Sequence, residues 1–109
     1  MEQDITNIDF SKGDGIVPVI VQDVNTKEIL TLAYSNKESL ERTLTTGNSW
    51  FWSRSRKKLW MKGEESGNTQ KISKVLVDCD SDALIYLVKP DGPACHTGER
   101  TCFHNSLKS

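Results

Sequence analysis

The chain has 109 residues, 36% of them hydrophobic, and 14 Lys+Arg against 15 Asp+Glu give a net charge of -1, so one domain with a modest core is expected over 1–109. That balance offers no electrostatic reason for a nucleic-acid or membrane partner. The longest apolar runs, 17–21 and 84–88, fall far short of the roughly 20 residues that a membrane-spanning helix needs.

Residues 1–15 are polar and glycine-bearing and are expected to form a loosely held arm. Val17 to Val24 is rich in β-branched residues and predicts a strand, and Asn25-Thr26-Lys27 a turn into a second strand over Glu28 to Tyr34. Ser35-Asn36-Lys37-Glu38 fits a capping box, with the Ser35 hydroxyl and Glu38 satisfying free amides at a helix start. Leu40 and Leu44 share one face and Gly47 is a natural stop, which predicts one main helix over about 36–46. Ser49 to Arg56 and Lys58 to Lys62 read as strands around a basic turn, followed by a polar loop over 63–68. Gln70 to Cys79 alternates, with Val75, Val77 and Cys79 on one face, and Ala83 to Lys89 is an apolar strand. Pro90-Asp91-Gly92-Pro93 breaks it, leaving 90–109 as an irregular tail. The class is α+β, mostly antiparallel strands with one helix.

The chemistry concentrates in two cysteine clusters, Asp78-Cys79-Asp80-Ser81-Asp82 and Cys95-His96-Thr97-Gly98-Glu99-Arg100-Thr101-Cys102. Three cysteines cannot be fully paired as disulfides, and no charged-then-apolar leader opens the sequence, so a reducing, cytoplasmic setting is expected. Thiolates on Cys79, Cys95 and Cys102 would fill three corners of a zinc tetrahedron and leave one for water, the arrangement of a catalytic site. Asp78, Asp80 and Asp82 on an extended segment would project to one side and call for a hard cation; a solvated acidic turn is the plainer alternative. An EF-hand is excluded, because Ala83 and Lys89 stand where glycine and glutamate are needed. The seven-residue separation of Cys95 and Cys102 matches no zinc finger, and the zinc deaminase signature is absent. His96, next to a ligand, is placed to shuttle a proton.

The length of chain between these clusters constrains the site. A strand over 83–89 carries the chain about 20 Å from Cys79, and the six steps to Cys95 return that far only if extended. They contain a strong turn signal, so Cys79 is expected to meet Cys95 and Cys102 of a second copy in an obligate dimer. Trp50, Phe51, Trp52 and Trp60 interleave with Arg54, Arg56, Lys57, Lys58 and Lys62. That pattern suits stacking on single-stranded nucleic acid, a structural hairpin with solvated charges, or a hairpin whose polar face grips phosphate.

Taken together, these residues resemble the phosphoribosyl-AMP cyclohydrolase family of histidine biosynthesis. The matching segments are 15–23, Leu32-Ala33-Tyr34, Trp52-Ser53-Arg54-Ser55-Arg56, Leu59-Trp60 with Lys62-Gly63-Glu64, 66–70, 78–82 and 95–103. Ser35 stands where the family commonly has methionine, and Met61 and Asn68 where it often has histidine. The resemblance implies a compact β-rich roll assembled as an intertwined homodimer. It also implies hydrolytic opening of the adenine ring of 1-(5-phosphoribosyl)-AMP between N1 and C6. Zinc would be held by Cys79, Cys95 and Cys102 across the dimer interface, and magnesium would lie near Asp78, Asp80 and Asp82. Three thiolates leave a zinc centre with net negative charge and a less acidified water than three histidines would. A proton acceptor is therefore expected, and His96 is the candidate. Arg54, Arg56 and Lys62, with Trp60 and Ser66, would bind the phosphates and base. The rivals are a zinc-stabilised nucleic-acid module and a structural thiolate-metal dimer whose fourth ligand is protein.

Overall fold

The computed structural model describes residues 4–108. Six strands and one α-helix follow in the order β1 (Val17–Asp23), β2 (Ile29–Ser35), α1 (Lys37–Thr46), β3 (Trp50–Ser53), β4 (Lys58–Met61), β5 (Gln70–Val77) and β6 (Leu84–Pro90). Two hairpins, β1–β2 and β5–β6, lie side by side to make one four-stranded sheet in the order β2-β1-β6-β5. Their junction is the parallel β1–β6 pair, with Val19 opposite Leu84 and Val21 opposite Tyr86. The expected α+β class, mostly antiparallel with one helix, is what the chain adopts; the parallel seam was not foreseen. Within the arm expected over 1–15, Ile5–Asn7 and Ser11–Gly13 form 3₁₀ turns and Ile8 is buried in the core. Residues 1–3 of that arm, and Ser109 of the tail, lie outside the described residues.

A parallel seam needs a long crossover, and the α1–β3–β4 segment supplies it on one face of the sheet. Val17, Val19 and Val21 of β1 and Leu84, Tyr86 and Val88 of β6 point to that face and are at most 2% exposed. Phe51 closes the contact from the smaller β3–β4 sheet. Its ring centroid lies 4.9 Å from that of Trp60 and 5.7 Å from that of Tyr86. Burying one such ring contributes about 2–3 kcal/mol, enough to fix the hairpin on the sheet.

The helix start differs from expectation by one residue. Asn36, not Ser35, is the cap: its side chain accepts from Ser39 N at 2.8 Å, and Ser39 Oγ accepts from Asn36 N at 2.9 Å. An Asn–Ser reciprocal pair replaces the Ser–Glu box, which frees the Ser35 hydroxyl to meet Ser39 Oγ at 2.6 Å in the interior. Gly47 ends the helix as expected, with its N–H on the Thr43 carbonyl. Leu40 is buried but Leu44 is 54% exposed, so the inward stripe is Ser39, Leu40 and Thr43 rather than a leucine pair. Thr43 Oγ1 accepts from Trp50 N at 2.9 Å and ties the helix to β3.

The other face of the sheet is uncovered and apolar along one row. Leu32, Ile20, Ile85 and Leu76 are consecutive cross-strand partners, and three of them are 37–47% exposed. Among the described residues, no helix is long and apolar enough to cross a membrane.

Candidate active site and metal ligands

The β3–β4 hairpin, the loop after it and the C-terminal tail enclose a cavity of about 640 Å³. Arg56, Lys58 and Trp60 come from the hairpin, Lys62 and Ser66 from the loop, and Cys95 and His96 from the tail. Residues nearly 40 positions apart in sequence thus share one wall. The basic hairpin and the second cysteine cluster, which the sequence suggested separately, belong to one site. Arg54 is not among the lining residues; its guanidinium stacks over the Tyr34 ring, 3.9 Å from the centroid.

Glycine geometry holds the loop. Gly63 has φ +85, and a Cβ there would lie 2.5 Å from the backbone of Asn68 and Thr69, so no other residue lets the loop close on itself. Thr69 Oγ1 donates to Asp91 Oδ2 at 2.6 Å, and Asp91 N to the Thr69 carbonyl at 2.9 Å, clamping the loop to the turn after β6. Met61, Glu64, Glu65, Asn68 and Pro93 also line the cavity, and the sequence reading did not place them there. The signal for Glu64 and Glu65 was the paired Gly63 and Gly67 that bracket them, with Asn68 following directly.

The tail folds back at Cys95–Gly98, where Gly98 N donates to the Cys95 carbonyl at 3.0 Å and Cys95 N to the Glu99 carbonyl at 3.1 Å. Cys102 N then donates to Leu30 O of β2 at 2.7 Å. That return brings Cys102 close enough to Cys95 to help lower the pKa of its thiol. The Thr97 hydroxyl donates to Cys95 Sγ at 3.1 Å. It is the largest cause holding the Cys95 thiol below its ordinary pKa, followed by the Thr97 amide, with Cys102 and His104 adding to it against the effect of burial. Such support favours the thiolate, the form that binds metal. His104, which nothing in the sequence singled out, joins this cluster and holds Nδ1 2.9 Å from the Thr101 carbonyl.

Cys79 is elsewhere. β5 stops at Val77 and residues 78–83 form a turn, so of the two readings left open, an extended acidic row and a solvated turn, the chain adopts the turn. The reason is Asp78, whose Oδ1 accepts from Asp82 N at 2.9 Å and Ala83 N at 3.2 Å. The Asp82 amide is the largest cause holding that carboxyl below its usual range. Asp82 pairs with Lys12 at 3.2 Å, while Asp80 and the exposed Cys79 sit at the tip. Cys79 lies three strands away from β2 in the sheet, about 14 Å, and four to five residue steps along the strands, about 15 Å. The diagonal is about 20 Å. Among the described residues, no group of three His, Cys, Asp or Glu side chains converges to hold a metal. Two sulfurs are together and the third is at the far corner of the same sheet.

The profile of the phosphoribosyl-AMP cyclohydrolase family matches residues 31–104. The chain belongs to this family. It is 76% identical to a phosphoribosyl-AMP cyclohydrolase of Cenarchaeum symbiosum, across 98% of this chain and 99% of that protein. A Nitrosopumilus maritimus protein of the same name is 73% identical over 108 residues. A Thermus thermophilus histidine biosynthesis bifunctional protein HisIE is 60% identical over 104 residues, which are 48% of its length. The matched region spans the cavity and both cysteine clusters, so the chain is an enzyme of that family and the cavity is its candidate active site.

Proposed function

We propose that this enzyme opens the adenine ring of 1-(5-phosphoribosyl)-AMP by hydrolysis of the N1–C6 bond, using zinc shared between two copies of the chain. The oxygen of water becomes the carboxamide oxygen at C6, and N1 takes a proton as its bond to C6 breaks. One observation carries the reading: Cys95 and His96 share a cavity wall with Arg56, Lys58, Lys62, Trp60 and Ser66. A thiol ligand, a histidine, a flat aromatic and three cations in one 640 Å³ space match a purine carrying two phosphates.

The donor chemistry fits zinc, with Cys95 and Cys102 adjacent and Cys95 favoured as thiolate. Cys79 of a second copy completes the set, and the exposed Leu32–Ile20–Ile85–Leu76 row supports such an assembly, being an apolar face without a cover. Bound there, zinc supplies the Lewis acidity that makes water a nucleophile near neutral pH. His96 accepts the proton that the attacking water gives up. Arg56, Lys58 and Lys62 hold phosphate oxygens, Trp60 supplies a stacking plane and Ser66 a hydroxyl. Arg54, stacked on Tyr34, bears on phosphate binding only by bracing the hairpin. Magnesium at the Asp78–Asp82 turn would use Asp80 and Asp82 more readily than Asp78, whose Oδ1 is already bonded by two amides. Free thiols on all three cysteines support a cytoplasmic setting.

The nucleic-acid alternative would need the aromatic and basic side chains on an open surface, whereas several line a cavity that also holds Cys95. An ultraviolet assay of ring opening, run with and without a chelator and then with zinc restored, tests the reading. Turnover that survives complete metal removal would overturn the zinc requirement, and no turnover with metal present would overturn the activity.

A further inference from the structure

Asn68, partly exposed on the cavity wall, abuts two glycines, and they serve it in different ways. Gly63 abuts its backbone, as described above. Gly92 abuts its side chain: a Cβ on Gly92 would fall 2.3 Å from Asn68 Oδ1 and 2.7 Å from its Cγ. Gly92 does not have positive φ, so its own backbone would accept alanine. Only the Asn68 amide requires the missing side chain. The Thr69–Asp91 clamp holds the two segments at that separation.

An amide in so close a contact would ordinarily be expected to make an internal hydrogen bond. Among the described residues, the Asn68 side chain has none; its backbone N–H donates to Ser66 Oγ at 3.2 Å. A positioned donor and acceptor, unmet by the protein and lining the cavity, are available to a ligand. The cations of the cavity suit phosphate, and phosphate would leave the amide's acceptor unmatched. A purine edge bearing N7 and an N–H at C6 matches both halves, as asparagine does when it reads adenine.

We infer that Asn68 is a specificity-determining residue that reads the C6–N7 edge of the nucleobase, and that Gly92 is glycine in order to admit it. This rests on the reading of the cavity as the nucleotide site. A 6-oxo purine presents an acceptor where the amide oxygen needs a donor, so it is rejected.

The test compares inhibition of ring opening by AMP and by IMP, with thermal midpoints recorded for each variant. The wild-type enzyme should prefer AMP by about tenfold, the scale of one bidentate base contact. Asn68→Ala should weaken AMP inhibition by about that factor and bring the AMP/IMP ratio close to one. Gly92→Ala should do the same in the native background, yet change little in the Asn68→Ala background, where the crowded atoms are gone. Should Gly92→Ala not fold, Asn68→Ala and Asn68→Leu carry the test alone. An AMP/IMP preference that persists in Asn68→Ala, or is absent from an active wild-type enzyme, overturns the inference. An inactive wild-type enzyme that still binds AMP over IMP in an Asn68-dependent way would instead count against the ring-opening reading alone.

Discussion

The proposed sharing of zinc between two copies makes a quantitative prediction about mixed dimers. Cys79 lies across the whole sheet from Cys102, about 20 Å away by strand spacing and rise. Two sulfurs on one zinc sit about 4 Å apart, since each Zn–S bond is about 2.3 Å. No hinge of the turn closes that difference without dismantling β5 and β6. Cys79→Ser and Cys102→Ser therefore damage opposite halves of each shared site, and either homodimer should be inactive. A heterodimer has one site with both lesions and one with neither. Isolated through two affinity tags after co-expression, it should recover about half of wild-type turnover, and an unsorted equal mixture about a quarter. Zinc content should follow the same fractions. A sorted heterodimer no more active than its parents would refute the reasoning, because ligands drawn from one chain cannot complement.

Three further outcomes follow from particular contacts. His96→Ala should lower turnover by about a hundredfold or more while zinc content stays at the wild-type level; unchanged turnover would reject its role as proton acceptor. Asp23, with its side chain 7% exposed, accepts from Asn25 N at 2.8 Å and Thr26 N at 3.2 Å. Burial pushes its pKa up, but those amides, the Thr26 hydroxyl and Arg100 outweigh it, so the carboxyl is held below its usual range. Its stabilisation is complete above the unfolded value of about 3.9 and is lost as pH falls through the lower folded value. Asp23→Asn should cost about 1–2 kcal/mol at pH 7 by urea unfolding, a difference that shrinks in acid; a pH-independent difference would contradict this. Gly63→Ala, with its Cβ 2.5 Å from backbone and φ +85, should cost clearly more than Gly67→Ala, which has φ +82 and nothing within 4 Å. The second pays only the left-handed backbone penalty of about 1 kcal/mol, and equal thermal midpoints for the two would refute the close-approach argument.

Much of the fold was legible because its signals are local. The alternation of Val17, Val19 and Val21, the apolar run of β6 and the stop at Gly47 act within a few residues of themselves. The helix cap was misread by one position, because Asn36 and Ser39 satisfy each other as well as a serine and a glutamate would. Leu44 shares the face of Leu40 as the spacing implies, but periodicity gives only a face, and how far that face is covered is set by distant chain. At Asp78 the local pattern left an extended acidic row and a solvated turn both open, and two backbone amides that recruit its carboxylate decide for the turn.

The sequence by itself determined the strands, the helix, the three thiols and the difficulty Cys79 has in reaching its counterparts, since strand rise sets the outward distance and the turn signal at 90–93 shortens the return. Tertiary structure alone decided that the basic hairpin, the glycine-bracketed loop and the Cys95–His96 turn face one cavity. It likewise set Gly92 against the amide of Asn68. Those juxtapositions arise from β1 docking parallel to β6 and from Phe51 seating one sheet on the other, and pairings across such separations leave no trace in the spacing of neighbouring residues.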